Sequence, residues 1–419
     1  MSPPLSAALL CLFAFVVPMA TATGAGQPQA RNFFQELKPL PNDLARYQYL
    51  HQLMPQLSED ERKQARQFLA FADANLGLYR VAISDFPFTS AGHVDLAMPS
   101  PAQWRAGDAV EAITRLAAHR RIVMVNEAHH DPHTRLLTLA LLPRLRALGY
   151  THFAAEALDE RDTGLMRRGY PVTTSGSEYL REPLYGSIVR EAIRLGFVIV
   201  PYESSDMTPQ IRENSQASNL YHRVFVANPS ARLFVHAGYA HIDKAPGRLG
   251  EDIRPMAMEL KRLSGFDPLS INQTEFRGVD SARQSPHYRQ LVAAFHPSRA
   301  VVLLNRGNGK PWSAHPQRNN VSVILPPSSD TQRPDWLRRD RRRHAWSIDT
   351  ALCSGTRPCV IEARPTTEPD DATPADRYTL LGTHEQAALY LRPGKYRVRA
   401  WGVSGRTLGE RRMAIGNGK

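Results

Sequence analysis

Ile122-Val123-Met124-Val125-Asn126-Glu127-Ala128-His129-His130-Asp131-Pro132 passes from an unbroken apolar run into a loop of acids and imidazoles within a few residues. Four apolar residues in a row suit a strand buried on both faces, as in parallel sheets. Asp131-Pro132 then supplies a helix N-cap and a proline at the first helical position. Leu137, Leu141, Leu145 and Leu148 follow as an apolar stripe, and Gly149 closes that helix.

The same grammar repeats outward. Thr151 to Ala155, Phe197 to Pro201, Arg232 to Val235, Leu269 to Asn272 and Val301 to Leu304 read as strands. Pro183 to Leu195, Thr208 to Ala227, Gly250 to Leu263 and Tyr288 to Phe295 read as helices between them, two closed by Gly196 and Gly265. Strand and helix in alternation predict an α/β fold, mainly a parallel sheet covered by helices, over residues 116–330.

The chain has 419 residues, 42% hydrophobic and 22% charged, which is globular composition and enough for several domains. Residues 31–115 are predicted to be a helical N-terminal segment, packing material or a lid. Ser58-Glu59-Asp60-Glu61 has the form of a capping box before Arg62 to Ala74. Residues 89–108, with Pro99, Pro101 and Gly107, read as a loop ahead of a helix from Asp108 to Ala118. Leu9 to Val17 is an apolar run followed by small residues up to Ala22 and Thr23, although no Lys or Arg precedes it. That pattern predicts a signal peptide over residues 1–22 and a periplasmic or secreted protein. The run is short for a bilayer, and no later stretch predicts a stable transmembrane segment.

Beyond 345 the pattern changes to short strands, Cys359 to Ala363, Ala387 to Leu391 and Tyr396 to Trp401, with a turn at Pro393-Gly394. Residues 345–419 are therefore predicted to be a small antiparallel β domain, with 364–376 as a loose loop. An exported pair as close as Cys353 and Cys359 predicts a local disulfide. The net charge of +12 is partly concentrated in Arg333, Arg338, Arg339, Arg341, Arg342 and Arg343. This run reads as a solvated basic linker over 331–344, since no nucleic-acid module or interleaved aromatic pattern accompanies it. Nucleic acid is not expected as a partner.

Ligands of open parallel sheets bind at the carboxyl ends of the strands. At those ends the sequence places Asn126, Glu127, His129 and His130 after the first strand, Glu156 after the second, Glu203 after the third, and His236 with Tyr239 and His241 after the fourth. An acid or histidine at one such position is ordinary; four successive strands ending so point to a shared polar site. His133 is expected on the surface of the next helix's first turn, and His152 within its strand.

A histidine can take a proton from water or an alcohol, and a neighbouring carboxylate fixes its tautomer. Glu127, His129, His130, Glu156, Glu203, His236 and His241 are thus the expected catalytic residues. Arg135, Asn126 and Tyr239 are the expected substrate-binding residues, with Arg135 also able to neutralise a carboxylate. His129, His130, His236 and His241 could equally hold zinc, iron or manganese, though no His-Glu-x-x-His helix is present. Neither a Gly-x-Ser-x-Gly elbow nor a phosphate-binding glycine loop occurs, which argues against a serine hydrolase or a nucleotide enzyme.

Ile122 to Asp131 resembles the opening motif of the erythromycin esterase-like, ChaN-like haem-uptake and Tiki proteins. These share a strand, a Gly-Glu pair and a histidine two or three residues on. Phe234 to His241 is similar to their later strand and Gly-x-x-His motif, and Arg135 and Glu156 fall where members often carry charge. The resemblance covers residues 116–305. Asn126 stands where the family has glycine. The ChaN-like pattern implies His129, the esterase-like pattern His130. Two functions follow as expectations: an exported hydrolase of an ester, lactone or amide, or a periplasmic haem- or iron-binding protein with Tyr239, His236 or His241 as axial ligand. The expected partner is a small-molecule substrate or haem, and oligomeric state is left open.

Overall fold

The structure, a computed structural model, describes residues 31–88, 96–279, 283–328, 333–340, 342–383 and 385–416. The expected signal peptide over 1–22 lies outside the described residues. The central sheet has eight strands: β1 (Trp104–Asp108), β2 (Ile122–Glu127), β3 (His152–Ala155), β4 (Val198–Val200), β5 (Leu233–Gly238), β6 (Leu269–Phe276), β7 (Val301–Asn305) and β8 (Val321–Ile324). Their order is β1-β7-β8-β6-β2-β5-β3-β4. The six strands from β8 to β4 run parallel, while β7 is antiparallel to β8 and β1 antiparallel to β7.

Helices α1 (Phe33–Leu37), α2 (Asp43–Leu53), α3 (Glu59–Asn75) and α4 (Tyr79–Asp85) precede the sheet. Ser58 and Glu61 form the expected capping box at the start of α3. Within the α/β unit follow α5 (Ala109–Ala117), α6 (Arg135–Ala147), α7 (Leu165–Arg168), α8 (Pro183–Arg194), α9 (Pro209–Leu220), α10 (Met256–Ser264) and α11 (Pro286–Phe295). Both faces of the sheet are covered because β2 is apolar at every position of its run. Val123 and Val125 pack with α5, α6 and α8, whereas Ile122 and Met124 pack with α9 and α10. Such burial is worth roughly 1.5–3 kcal/mol per large apolar side chain. No helix among the described residues is long and apolar enough to cross a membrane.

The C-terminal unit contains β9 (His344–Ser347), β10 (Cys359–Pro365), β11 (Asp376–Leu380), β12 (Ala388–Leu391), β13 (Gly394–Trp401) and β14 (Thr407–Ile415). An antiparallel sheet of order β11-β10-β13-β14 stands beside a β12-β9 ribbon. Leu44, Leu76 and Leu78 of the N-terminal helical segment are buried against this sheet. Cys353 and Cys359 are joined in the expected disulfide.

Four expectations are corrected. Trp104–Asp108 is an edge strand rather than loop, and its half-exposed residues carry no apolar alternation that would mark it. The loop 364–376 is anchored, since Thr373 N–H donates to Pro171 O (3.0 Å) and its hydroxyl to Leu180 O (2.7 Å). His133 is buried and stacked on Trp336 at 5.1 Å, not exposed, and burial pushes its imidazole down to about 4. The basic run is not uniformly solvated: Arg333 is buried, donating to Arg377 O (3.1 Å) and pairing with Asp376, and Arg343 is buried too.

Candidate functional site: a buried carboxylate–imidazole cluster

Parallel strands β2, β5 and β3 lie side by side, so their carboxyl ends deliver Glu127, His236 with Gly238, and Glu156 to one edge. Glu127 is the hub. Its Oε1 lies 2.8 Å from His129 Nδ1, its Oε2 accepts from Arg135 Nε at 2.6 Å, and His236 Nε2 stands 3.2 Å away. Arg135 also donates to Glu182 Oε2 (2.8 Å) and to the His129 carbonyl (3.1 Å). All five side chains are almost wholly buried. Burial alone would raise Glu127. The Arg135 guanidinium, then His236, outweigh it and hold the carboxyl well below the usual range.

A second group adjoins the first. Glu156 accepts the Gly238 backbone N–H and Arg212 Nη2 (2.9 Å). Arg212 Nε reaches Glu203 Oε1 (3.0 Å), and its Nη1 lies 3.1 Å from His241 Nε2. His241 Nδ1 faces Glu213 Oε1 at 2.7 Å. Glu156 Oε1 therefore lies between two imidazoles, 4.0 Å from His129 Nε2 and 3.7 Å from His241 Nε2. Burial raises Glu156, but His241, His129 and Arg212 together hold it lowered. His241 is raised, because Glu213 and Glu156 outweigh its burial.

Glycine at 238 is what lets the two groups touch. A Cβ there would stand 2.6 Å from His129 Cε1, nearer still to Nε2, and 3.1 Å from Glu156 Oε2. The His129 ring also stacks on Tyr179 (4.0 Å between centroids, planes 6° apart). Nδ1 is bonded to Glu127, whereas Nε2 is buried without a hydrogen-bond partner among the described residues.

His130 has a different setting. Its ring stacks on Phe86 at 3.6 Å, its Nδ1 meets Tyr239 OH at 3.0 Å, and its Nε2 meets Arg277 Nη2 at 3.1 Å. Burial, Arg277 and His129 hold it well below the ordinary histidine range. Tyr239 reaches this position with φ of 37°, in the left-handed region.

The structure brings Glu127, His129, Glu156, His236 and His241 together, and Glu203 reaches them through Arg212. Asn126 and Arg135 are not presented as substrate contacts. Asn126 is buried and ties strands, donating to Tyr239 O (2.8 Å) and Asn272 Oδ1 (3.0 Å) and accepting from Gln273 N–H (2.8 Å). Arg135 is fixed between carboxylates. Among the described residues no three His, Cys, Asp or Glu side chains form a metal-binding group. His129, His130, His236 and His241 each have a ring nitrogen facing a protein group, and Arg135 and Arg212 occupy the carboxylates. The expected axial ligands of a haem are similarly engaged: Tyr239 with His130, His241 between Glu213 and Glu156, and His236 with Glu127 and Thr138 Oγ1 (2.9 Å).

Arg212, Glu213, Glu182 and Arg277 were not found from sequence. Glu182 has one local signal, its place before Pro183 at the start of α8, where it caps Tyr185 N–H. The others sit on a helix or beyond a strand with nothing local to mark them.

The fold and site define an α/β protein with a buried carboxylate–imidazole cluster at the carboxyl edge of a mainly parallel sheet. Comparison with known proteins adds little to that class. No family model and no curated protein matches the chain. One solved structure, that of the type III effector HopBA1, matches with a TM-score of 0.31 and 13% identity, covering 56% of this chain and 99% of that one. A likeness that slight is too weak to reason from.

Proposed function

We propose that this chain is an exported hydrolase of an ester, lactone or amide in which His129 is the general base. One observation carries the reading: Glu127 holds His129 Nδ1 at 2.8 Å while Nε2 has no hydrogen-bond partner among the described residues. In this scheme Nε2 removes a proton from water as the water oxygen attacks the substrate carbonyl carbon. Glu127, kept ionised by Arg135, stabilises the imidazolium that forms. The same nitrogen then returns the proton to the leaving oxygen or nitrogen. Glu156 lends negative charge on the other side of the ring at 4.0 Å. His130 is a poor base here, because its neighbours oppose its protonation.

Phe71 of α3, Phe86 beyond α4 and Tyr179 lie against the two histidines. Entry of substrate would require this aromatic layer to part, which makes the N-terminal helical segment a lid. Export is supported by the apolar leader-like run and the Cys353–Cys359 disulfide, which suits an oxidising compartment.

The test is a screen of ester, lactone and peptide substrates with the wild type, Glu127→Gln and His129→Asn. Turnover by the wild type that both variants lose supports the proposal. Turnover that survives both changes overturns it.

A further inference from the structure

We propose that a cleft between α8 and the C-terminal β unit binds a tetrahedral oxyanion, a phosphate or sulfate group. The cleft has a volume of ≈ 160 Å³ and is lined on the α8 side by Ser187, Arg190, Arg194 and one carboxylate, Glu191, and on the other by Arg343 and Arg392. Sites for drug-sized ligands run to roughly 300–1,000 Å³, so this one fits a single charged group or the end of a longer molecule.

Charge in and beside the cleft does not balance. Glu191 serves Arg194 (2.8 Å) and Arg392 (3.2 Å), Asp340 serves Arg392 (3.3 Å) and Arg342 (3.2 Å), and Glu368 serves Arg190 (2.9 Å). Among the described residues, three carboxylates thus face the guanidiniums of Arg190, Arg194, Arg342, Arg343 and Arg392.

The second observation is a buried cation with unmet donors. Arg343 is 8% exposed, and among the described residues its terminal nitrogens meet neutral acceptors, Tyr390 O at 3.1 Å, Ser187 Oγ at 3.0 Å and Ala375 O at 3.5 Å. Its Nε has no hydrogen-bond partner among the described residues, the Asp340 carboxylate standing off at 3.7 Å. Arg392 Nε is likewise buried and without a partner among the described residues. Burial, with Arg343 and Arg342 alongside, depresses the Arg392 guanidinium, which is the same excess of positive charge seen from another residue. A buried guanidinium with an unmet donor and an outnumbered set of carboxylates is costly, and an anion in the cleft would relieve it. The donors come from separate elements: α8, the segment before β9, and the turn between β12 and β13. A planar carboxylate matches one guanidinium fork, whereas a tetrahedral group offers oxygens in several directions at once.

The experiment is titration calorimetry of the full chain with inorganic phosphate, against sodium chloride at matched ionic strength. Glycerol 1-phosphate and phosphatidic acid vesicles serve as further arms. The expected result is one saturable site, weakened at least tenfold in Arg392→Gln. Arg392 is partly exposed, whereas Arg343 is buried, so Arg392→Gln is the variant used, and its unfolding midpoint is measured alongside to separate lost binding from lost fold. Given a saturable phosphate site, binding of glycerol 1-phosphate assigns it to soluble phosphates, whereas retention on phosphatidic acid vesicles without glycerol 1-phosphate binding, lost in Arg392→Gln, assigns it to a lipid headgroup. Phosphate heats no different from chloride, or equal affinity in Arg392→Gln, overturn the proposal.

Discussion

Replacing Gly238 by Ala should disturb the site through one ring. The new Cβ would lie 2.6 Å from His129 Cε1 and nearer still to Nε2, where ordinary contact begins near 3.4 Å, so the ring must retreat by more than about 0.8 Å. Tyr179 stacks on the ring at 4.0 Å and Glu127 holds its Nδ1 at 2.8 Å, so both resist its movement. Retreat therefore strains the stack and breaks a hydrogen bond to a buried carboxylate. Overpacking costs about 1–3 kcal/mol and a charge-assisted hydrogen bond about 1.5–3 kcal/mol. Together they make a loss of roughly 2.5–6 kcal/mol. Gly238 is not in the left-handed region, so backbone strain adds nothing. The assay is denaturant unfolding of Gly238→Ala in the wild type and in a His129→Ala background, as a double-mutant cycle. In the second background most of the loss should vanish. An equal loss in both backgrounds would refute the reasoning.

Arg135→Met leaves Glu127 buried beside an unpaired Glu182 and should cost about 3–5 kcal/mol at neutral pH. Without Arg135 burial raises the Glu127 carboxyl, so the deficit should shrink as pH falls towards the unfolded value near 4.3; unfolding curves at pH 5 and 7 check this. Asp73 is fully buried, both its oxygens lack partners among the described residues, and burial, then Asp85, hold its carboxyl well above the ordinary range. Its contribution is present below pH 3.8 and is lost at about 1.4 kcal/mol per pH unit as pH rises towards the folded value. Asp73→Asn should therefore melt higher than wild type at pH 7 and gain little near pH 4; a lower melting temperature at pH 7 counts against this. Cys353→Ser with Cys359→Ser opens a link across a sequence separation of 6 and should cost about 2 kcal/mol, read as a lower denaturation midpoint.

The parallel sheet was legible because strands buried on both faces must be apolar at every position, and β2 is such a run. The carboxyl-edge rule then placed Glu127, Glu156 and His236 together, since neighbouring parallel strands end at the same level. What stayed hidden depends on partners distant in sequence. Asn126 looks like a site residue until β6 and the β5 loop arrive to take its amide. Arg212 looks like any helix cation until Glu156 and Glu203 converge on it. Arg333 and Arg343 read as solvated charge because Asp376, Tyr390 and Ser187 lie far along the chain. β1 escaped notice for a different reason: an edge strand half exposed on both faces has no pattern for periodicity to detect.

The most direct measurement compares turnover of the best substrate from the ester, lactone and amide screen by His129→Asn and His130→Asn. A positioned general base contributes typically 10²–10⁴-fold. His129→Asn should lose kcat by about that factor, while His130→Asn, which loses a stacking and hydrogen-bonding role, should stay within about tenfold of wild type. Full activity in His129→Asn, or the larger loss in His130→Asn, would contradict the assignment.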